Sequence, residues 1–193
     1  MSTDVHAKHY DSQPRLHHNG SEIQKFGALR SLPIALSHES RAQSAQLLNP
    51  ILADSAILYA LYKKHHWLVR GHTFYQLHLL LDKHAEEQLK LIDMIAERIQ
   101  TLGAVAVGDP RHAAEMTTVP RAPDGVEEVP AMLSRLLEAH EIIISKVRDA
   151  VTTTAETRDD GTNDLLMSDV LRTHEMQVWF IAEHLVPVPV VEP

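Results

Sequence analysis

Between Leu48 and Leu102 apolar residues recur every three or four positions in two long runs, broken once at Gly71. Leu48, Ile51, Leu52, Leu58, Tyr59, Tyr62 and His66 carry the first run. Leu77, Leu81, Ala85, Ile92, Ile95, Ile99 and Leu102 carry the second. This spacing specifies amphipathic helices, each obliged to bury one face. Pro50 predicts a start or kink in the first helix. Thr73 suits the N-cap of the second, and Gly103 stops it. Two helices joined by so short a turn must lie antiparallel.

The pattern recurs downstream. Leu133, Leu136, Leu137, His140, Ile144, Val147 and Val151 mark a third helix, and Thr157 to Thr162 reads as a loop. A fourth runs from about Asn163 to Leu185, ahead of Pro187 and Pro189. The Pro-rich stretch from Gly103 to Pro130 has room for one short helix, Asp109 to Met116, and for a crossover connection. With almost no strand signal, the expected fold is all-α, a four-helix bundle with a short helix between its second and third helices. Residues 1–37 read as a flexible His-containing arm, 38–186 as the bundle and 187–193 as a short tail.

Composition narrows the chemistry. The chain has 193 residues and no cysteine, which excludes disulfides and thiolate metal sites. The first residues lack the apolar run of a secretory signal, and no stretch approaches a membrane span, so a soluble cytoplasmic protein is expected. A net charge of -8 argues against binding nucleic acid through charge alone and suits a container for cations. Fourteen histidines, with the carboxylates, favour iron, zinc or manganese.

The chemical constellation lies between His66 and Glu97. His66 sits five residues before Gly71 and His78 six after His72, so an antiparallel hairpin brings the two imidazoles level. Asp82 follows His78 by one turn on the same face, and the three can converge. Asp93 and Glu97 form a second carboxylate pair on the same helix. They lie about three turns, or roughly 16 Å, beyond Asp82. No single metal spans that gap within one chain. Either there are two weak half-sites, or a second copy lies antiparallel across a two-fold axis and closes two shared sites.

The segment from His65 through Trp67, Arg70, Gly71 and Phe74 to His78, then Leu81-Asp82 and Asp93 to Arg98, resembles the Dps family, or mini-ferritins, of the ferritin-like superfamily. His174-Glu175 and Trp179-Phe180 resemble that family's last helix, and the likeness extends over residues 45 to 186. The resemblance implies a ferritin-like four-helix bundle assembled as a hollow homo-dodecamer built from two-fold dimers. It implies a di-iron ferroxidase centre in which His66, His78 and Asp82 come from one subunit and Asp93 and Glu97 from its partner. There Fe(II) is oxidised preferentially by hydrogen peroxide, ferric mineral is stored, and the cell is protected against oxidative stress. Trp67 is implied to lie near the iron and to scavenge oxidising equivalents. Packing at the dimer interface explains it equally well.

Many Dps proteins bind DNA, so a DNA-compacting protein with little ferroxidase activity is the alternative. The intact ligand set, the negative charge and the lack of a lysine-rich tail favour iron, with DNA binding weak. The surplus histidines keep a zinc-tuned variant open. His65, His72 and His84 read as surface or hydrogen-bonding residues, and His140 and His174 as partnered core or interface residues. Asp160 and Asp164 are candidates for an acidic iron-entry pore, with helix capping the competing role for the acids around Asp159. Glu86 and Glu87 are candidate mineral-nucleating acids. His6, His9, His17 and His18 in the arm are read as a His-rich tail.

Overall fold

The computed structural model describes residues 21–187, and the arm histidines His6, His9, His17 and His18 lie outside that range. Long helices make the bundle: α1 (His38–Leu68), α2 (Phe74–Thr101) and α4 (Val129–Glu156), with α3 (Pro110–Met116) in the crossover. The last helical arm is composite. It comprises α5 (Asp160–Asp164), a π-helical segment (Leu165–Leu171), α6 (Arg172–Ala182) and a 3-10 turn (Glu183–Leu185). No strand occurs among the described residues, and no helix there is long and apolar enough to cross a membrane. The all-α four-helix architecture with its short connecting helix is therefore as the periodicity predicts.

The proline expected to start or kink α1 lies well inside it. The helix begins twelve residues earlier, where the Ser37 hydroxyl accepts from the Ser40 backbone N–H at 3.0 Å. An internal proline costs about 3 kcal/mol, but buried residues on both sides hold the helix together. Ala45 and Leu48 precede Pro50, and Ile51 and Leu52 follow it. Each fully buried aliphatic side chain contributes about 1.5–3 kcal/mol relative to exposure. Asn49 also anchors the chain after α2, its Oδ1 accepting from the Val107 N–H at 2.8 Å.

Gly71, at φ +100, makes the turn between α1 and α2 in a conformation that L side chains rarely adopt. The crossover is stapled by Asp54, which is fully buried on α1. Its carboxylate accepts from Thr117 Oγ1 at 2.7 Å, from the Thr118 N–H at 2.8 Å and from Lys146 Nζ of α4 at 2.5 Å. The α1/α2 hairpin is thereby held against α4, and its outer face carries the candidate ligands.

Candidate metal centre

His66 in the last turn of α1 and His78 in the second turn of α2 stack face to face, with ring centroids 3.8 Å apart and planes 18° apart. Their bonding is reciprocal. His66 Nδ1 lies 2.8 Å from the His78 carbonyl, and His78 Nδ1 lies 2.9 Å from the His66 carbonyl. A carbonyl only accepts, so both Nδ1 atoms carry protons and donate. A neutral imidazole so bonded offers its Nε2 lone pair, the tautomer a metal needs, with the ring oriented by the hydrogen bond behind it.

Asp82 adjoins the pair. Its Oδ1 lies 4.0 Å from His66 Nε2, and Lys63 Nζ donates to the same oxygen at 2.5 Å. That bond holds the Asp82 carboxyl below its ordinary range. Among the described residues no three His, Asp or Glu side chains converge closely enough to hold a metal. The expected convergence is thus partial: two imidazoles and a carboxylate adjoin, with a lysine on the carboxylate. Asp93 and Glu97 are exposed, farther along α2. Trp67, Phe74 and Tyr75 are exposed around the hairpin end, Trp67 at 69%.

At the start of the last arm the three aspartates have different surroundings. Asp159 is buried and caps α5, accepting from the Thr162 N–H at 3.1 Å and from Arg98 Nη2 at 2.5 Å. Asp160 and Asp164 are exposed, and Asp164 accepts from Ser168 Oγ at 2.7 Å. Capping therefore falls to Asp159. Glu87 is engaged by Lys83 at 2.5 Å and by Gln177 at 2.8 Å, whereas Glu86 is exposed.

Two histidines read as surface or hydrogen-bonding groups are neither. His65 and His84 are fully buried, and among the described residues none of their ring nitrogens has a partner. Burial lowers both to about 4. His72 is exposed. His140 and His174 are buried and partnered, as their apolar neighbours predict, and with Tyr62, Gln88 and Gln177 they form a polar cluster in the bundle centre. The signal for that cluster was present: His84 and Gln88 interrupt the apolar stripe of Leu77, Leu81, Ala85 and Leu91.

Residues 45–189 match the ferritin-like domain family. DpsC from Streptomyces coelicolor is 66% identical and superposes with a TM-score of 0.88, covering 89% of this chain and 100% of its own. A Dps protein from Vibrio cholerae, described as a member of a broad superfamily of ferritin-like diiron-carboxylate proteins, is 26% identical with a TM-score of 0.77, covering 82% of this chain and 99% of its own. A nutrient stress-induced DNA-binding protein of a Synechococcus strain is 31% identical over 88% of this chain and 96% of its own.

Proposed function

The chain belongs to the Dps family of the ferritin-like superfamily, and from that premise we propose that it oxidises Fe(II) with hydrogen peroxide and stores the ferric product in a homo-oligomeric cage. The observation that carries this reading is the reciprocal bonding of His66 and His78. It ties each ring through Nδ1 and so turns Nε2 to the metal's use, His66 Nε2 4.0 Å from Asp82 Oδ1. The same helix presents Asp93 and Glu97 outward, too far along to join them within one chain. A second copy, antiparallel across a two-fold axis, supplies the missing carboxylates and closes two equivalent sites.

Iron is the substrate. Imidazole and carboxylate suit Fe(II), and carboxylates bridge two metals. Two Fe(II) held together supply both electrons that peroxide requires, so the O–O bond breaks to the oxidation level of water without releasing hydroxyl radical. The carboxylates of Asp82, Asp93 and Glu97 offset the charge that rises as iron becomes ferric. Trp67 stands at the rim, where it takes up a stray oxidising equivalent or packs against the partner chain. Asp160 and Asp164 are the proposed entry ring, and the net charge of -8 favours cation storage over DNA compaction.

Anaerobic loading with Fe(II) followed by half an equivalent of peroxide tests this reading. Ferric absorbance should rise in step with peroxide, and a spin trap should report little hydroxyl radical. His78→Ala/Asp82→Ala should lose the fast phase. Oxidation no faster than in buffer, with the wild-type cage intact, contradicts the reading.

A further inference from the structure

The outer face of α2 carries more than candidate ligands. His78, Asp82, Glu86, Leu89, Asp93 and Glu97 follow one another at steps of three or four residues and form one stripe, with Lys90 at its edge one turn beyond Glu86. Glu86, Leu89 and Lys90 are exposed, Leu89 at 51%. On the neighbouring face Lys83 and Glu87 pair with each other at 2.5 Å. Glu86 and Lys90 stand in the order that favours the same kind of intrahelical pair, yet among the described residues neither takes an ion-pair partner.

Beside the stripe runs an apolar groove between α1, α2 and α3, with Tyr59, Ala60, Leu89, Ile92, Val107 and Pro110 among its walls. An exposed apolar surface rimmed by polar residues marks a contact with another molecule. Leu89 belongs both to the groove and to the charged stripe.

The ligand spacing determines what stands opposite these residues in a paired copy. A two-fold axis that sets Asp82 against the partner's Asp93 and the partner's Glu97 passes close to Leu89. In such a contact residue i meets j and j meets i. Leu89 then meets the partner's Leu89, Glu86 stands level with the partner's Lys90, and Lys90 with the partner's Glu86. A slip of one turn, about 6 Å, destroys the match. In one direction Glu86 meets the partner's Glu86, and in the other Lys90 meets the partner's Lys90. Only the register that closes both oxidation sites joins opposite charges.

We propose that Glu86 and Lys90 lock the register of the two-fold contact and select its partner, a second copy of this chain. The proposal rests on the shared-site reading above. Leu89 and the groove supply apolar area, which is non-directional and tolerates a slip. The two crossed ion pairs do not, because facing like charges in a closing interface are strongly unfavourable. A one-turn slip would carry Asp93 and Glu97 about 6 Å away from the partner's ligands and leave both sites open. The same charges reject a similar helix that lacks an acid and a base at these two positions.

The test uses two full-length chains, Glu86→Lys and Lys90→Glu, with pairing read by native mass spectrometry over a dilution series. Alone, each variant faces like charge across the axis, and its pairs should fall apart at concentrations at least about tenfold above those of the wild type. Mixed in equal amounts, the two should form hybrid pairs well beyond the half expected at random, with wild-type resistance to dilution, because one chain now presents two lysines and the other two glutamates. An intrahelical role predicts the opposite, since each chain keeps its own like charges in the mixture. The double variant Glu86→Lys/Lys90→Glu should pair with itself and reject wild-type chains, which decides the matter even where a single variant fails to fold. If the wild type stays unpaired at every concentration, the shared-site reading falls and this inference with it. If the wild type pairs but the single variants pair as firmly, the mixture shows no preference for hybrids, or the double variant pairs freely with wild type, this inference alone is overturned.

Discussion

The ammonium of Lys63 donates to Asp82 Oδ1 at 2.5 Å, and the same oxygen lies 4.0 Å from His66 Nε2. A resident cation thus occupies the carboxylate that the proposed iron site needs. A metal that takes the same oxygen has to move Lys63 aside.

Lys63→Met should therefore tighten metal binding. Both partners are partly exposed, and pairs of this kind are worth up to about 1 kcal/mol, so the gain should reach at most about fivefold. Anaerobic calorimetry with Fe(II), or with Co(II) as a spectroscopic stand-in, reads this directly. Unchanged or weaker binding would mean that the lysine positions Asp82 rather than competing for it.

Acid should weaken the bundle. Burial lowers His65 and His84 to about 4 and His174 to about 3, and it holds His140 well below its ordinary value. Unfolded, each takes a proton near 6.5. Above that pH neither state is charged and stability does not change. Below it the unfolded chain binds more protons, so stability falls as pH drops from about 6.5 toward 4. Each histidine costs at most about 2 kcal/mol by pH 5. Denaturant unfolding at pH 7 and pH 5 measures this, and His84→Leu should flatten the dependence.

The aspartates at the start of α5 should separate by role. Asp159 is buried on Arg98, Ser44 and Thr162, so Asp159→Ala should cost about 3–5 kcal/mol, as breaking a buried pair does. Asp160→Asn/Asp164→Asn alters only exposed carboxylates and should change stability by no more than about 0.5 kcal/mol. Iron uptake by that double variant should be slow at low Fe(II) and recover as Fe(II) rises. Wild-type uptake at low Fe(II) and low ionic strength would mean that iron enters elsewhere.

DNA binding should be weak near neutral pH, because the chain carries a net charge of -8. Protonation of histidines below that range should strengthen it. A mobility shift at physiological salt measures this, and tight, salt-sensitive binding at pH 8 would contradict the expectation.

The helices and the hairpin were legible because their signals are local. Gly71 and Thr73 predict α2 from Phe74, where it begins, and the expected end at Leu102 is one residue beyond the observed Thr101. Pro50 is a strong local breaker, so the apolar run alone does not carry α1 back to His38, where the bundle's expected boundary at residue 38 falls; burial on both sides of the proline holds the helix through it. The levelling of His66 with His78 follows from counting residues around the turn. Lys63 on Asp82 does not, because that contact depends on how long side chains cross between helices. The π-helix at Leu165–Leu171 has no residue signature; His174 is legible as a core position from its apolar neighbours, whereas the place of Gln177 in the central cluster is not. His84 and Gln88 were readable as polar positions on an apolar stripe, but proximity to the ligand motif made His84 look like a surface residue.

Subunit mixing decides whether one oxidation site is built from two chains. Chains carrying His78→Ala/Asp82→Ala and chains carrying Asp93→Ala/Glu97→Ala should each be inactive alone. Mixed at random in equal amounts, half the pairs are hybrid and each hybrid keeps one of its two sites. About a quarter of the wild-type fast Fe(II) oxidation should therefore return. No recovery, with hybrid pairs confirmed by native mass spectrometry, would mean that His66, His78 and Asp82 do not share iron with Asp93 and Glu97 of a second chain.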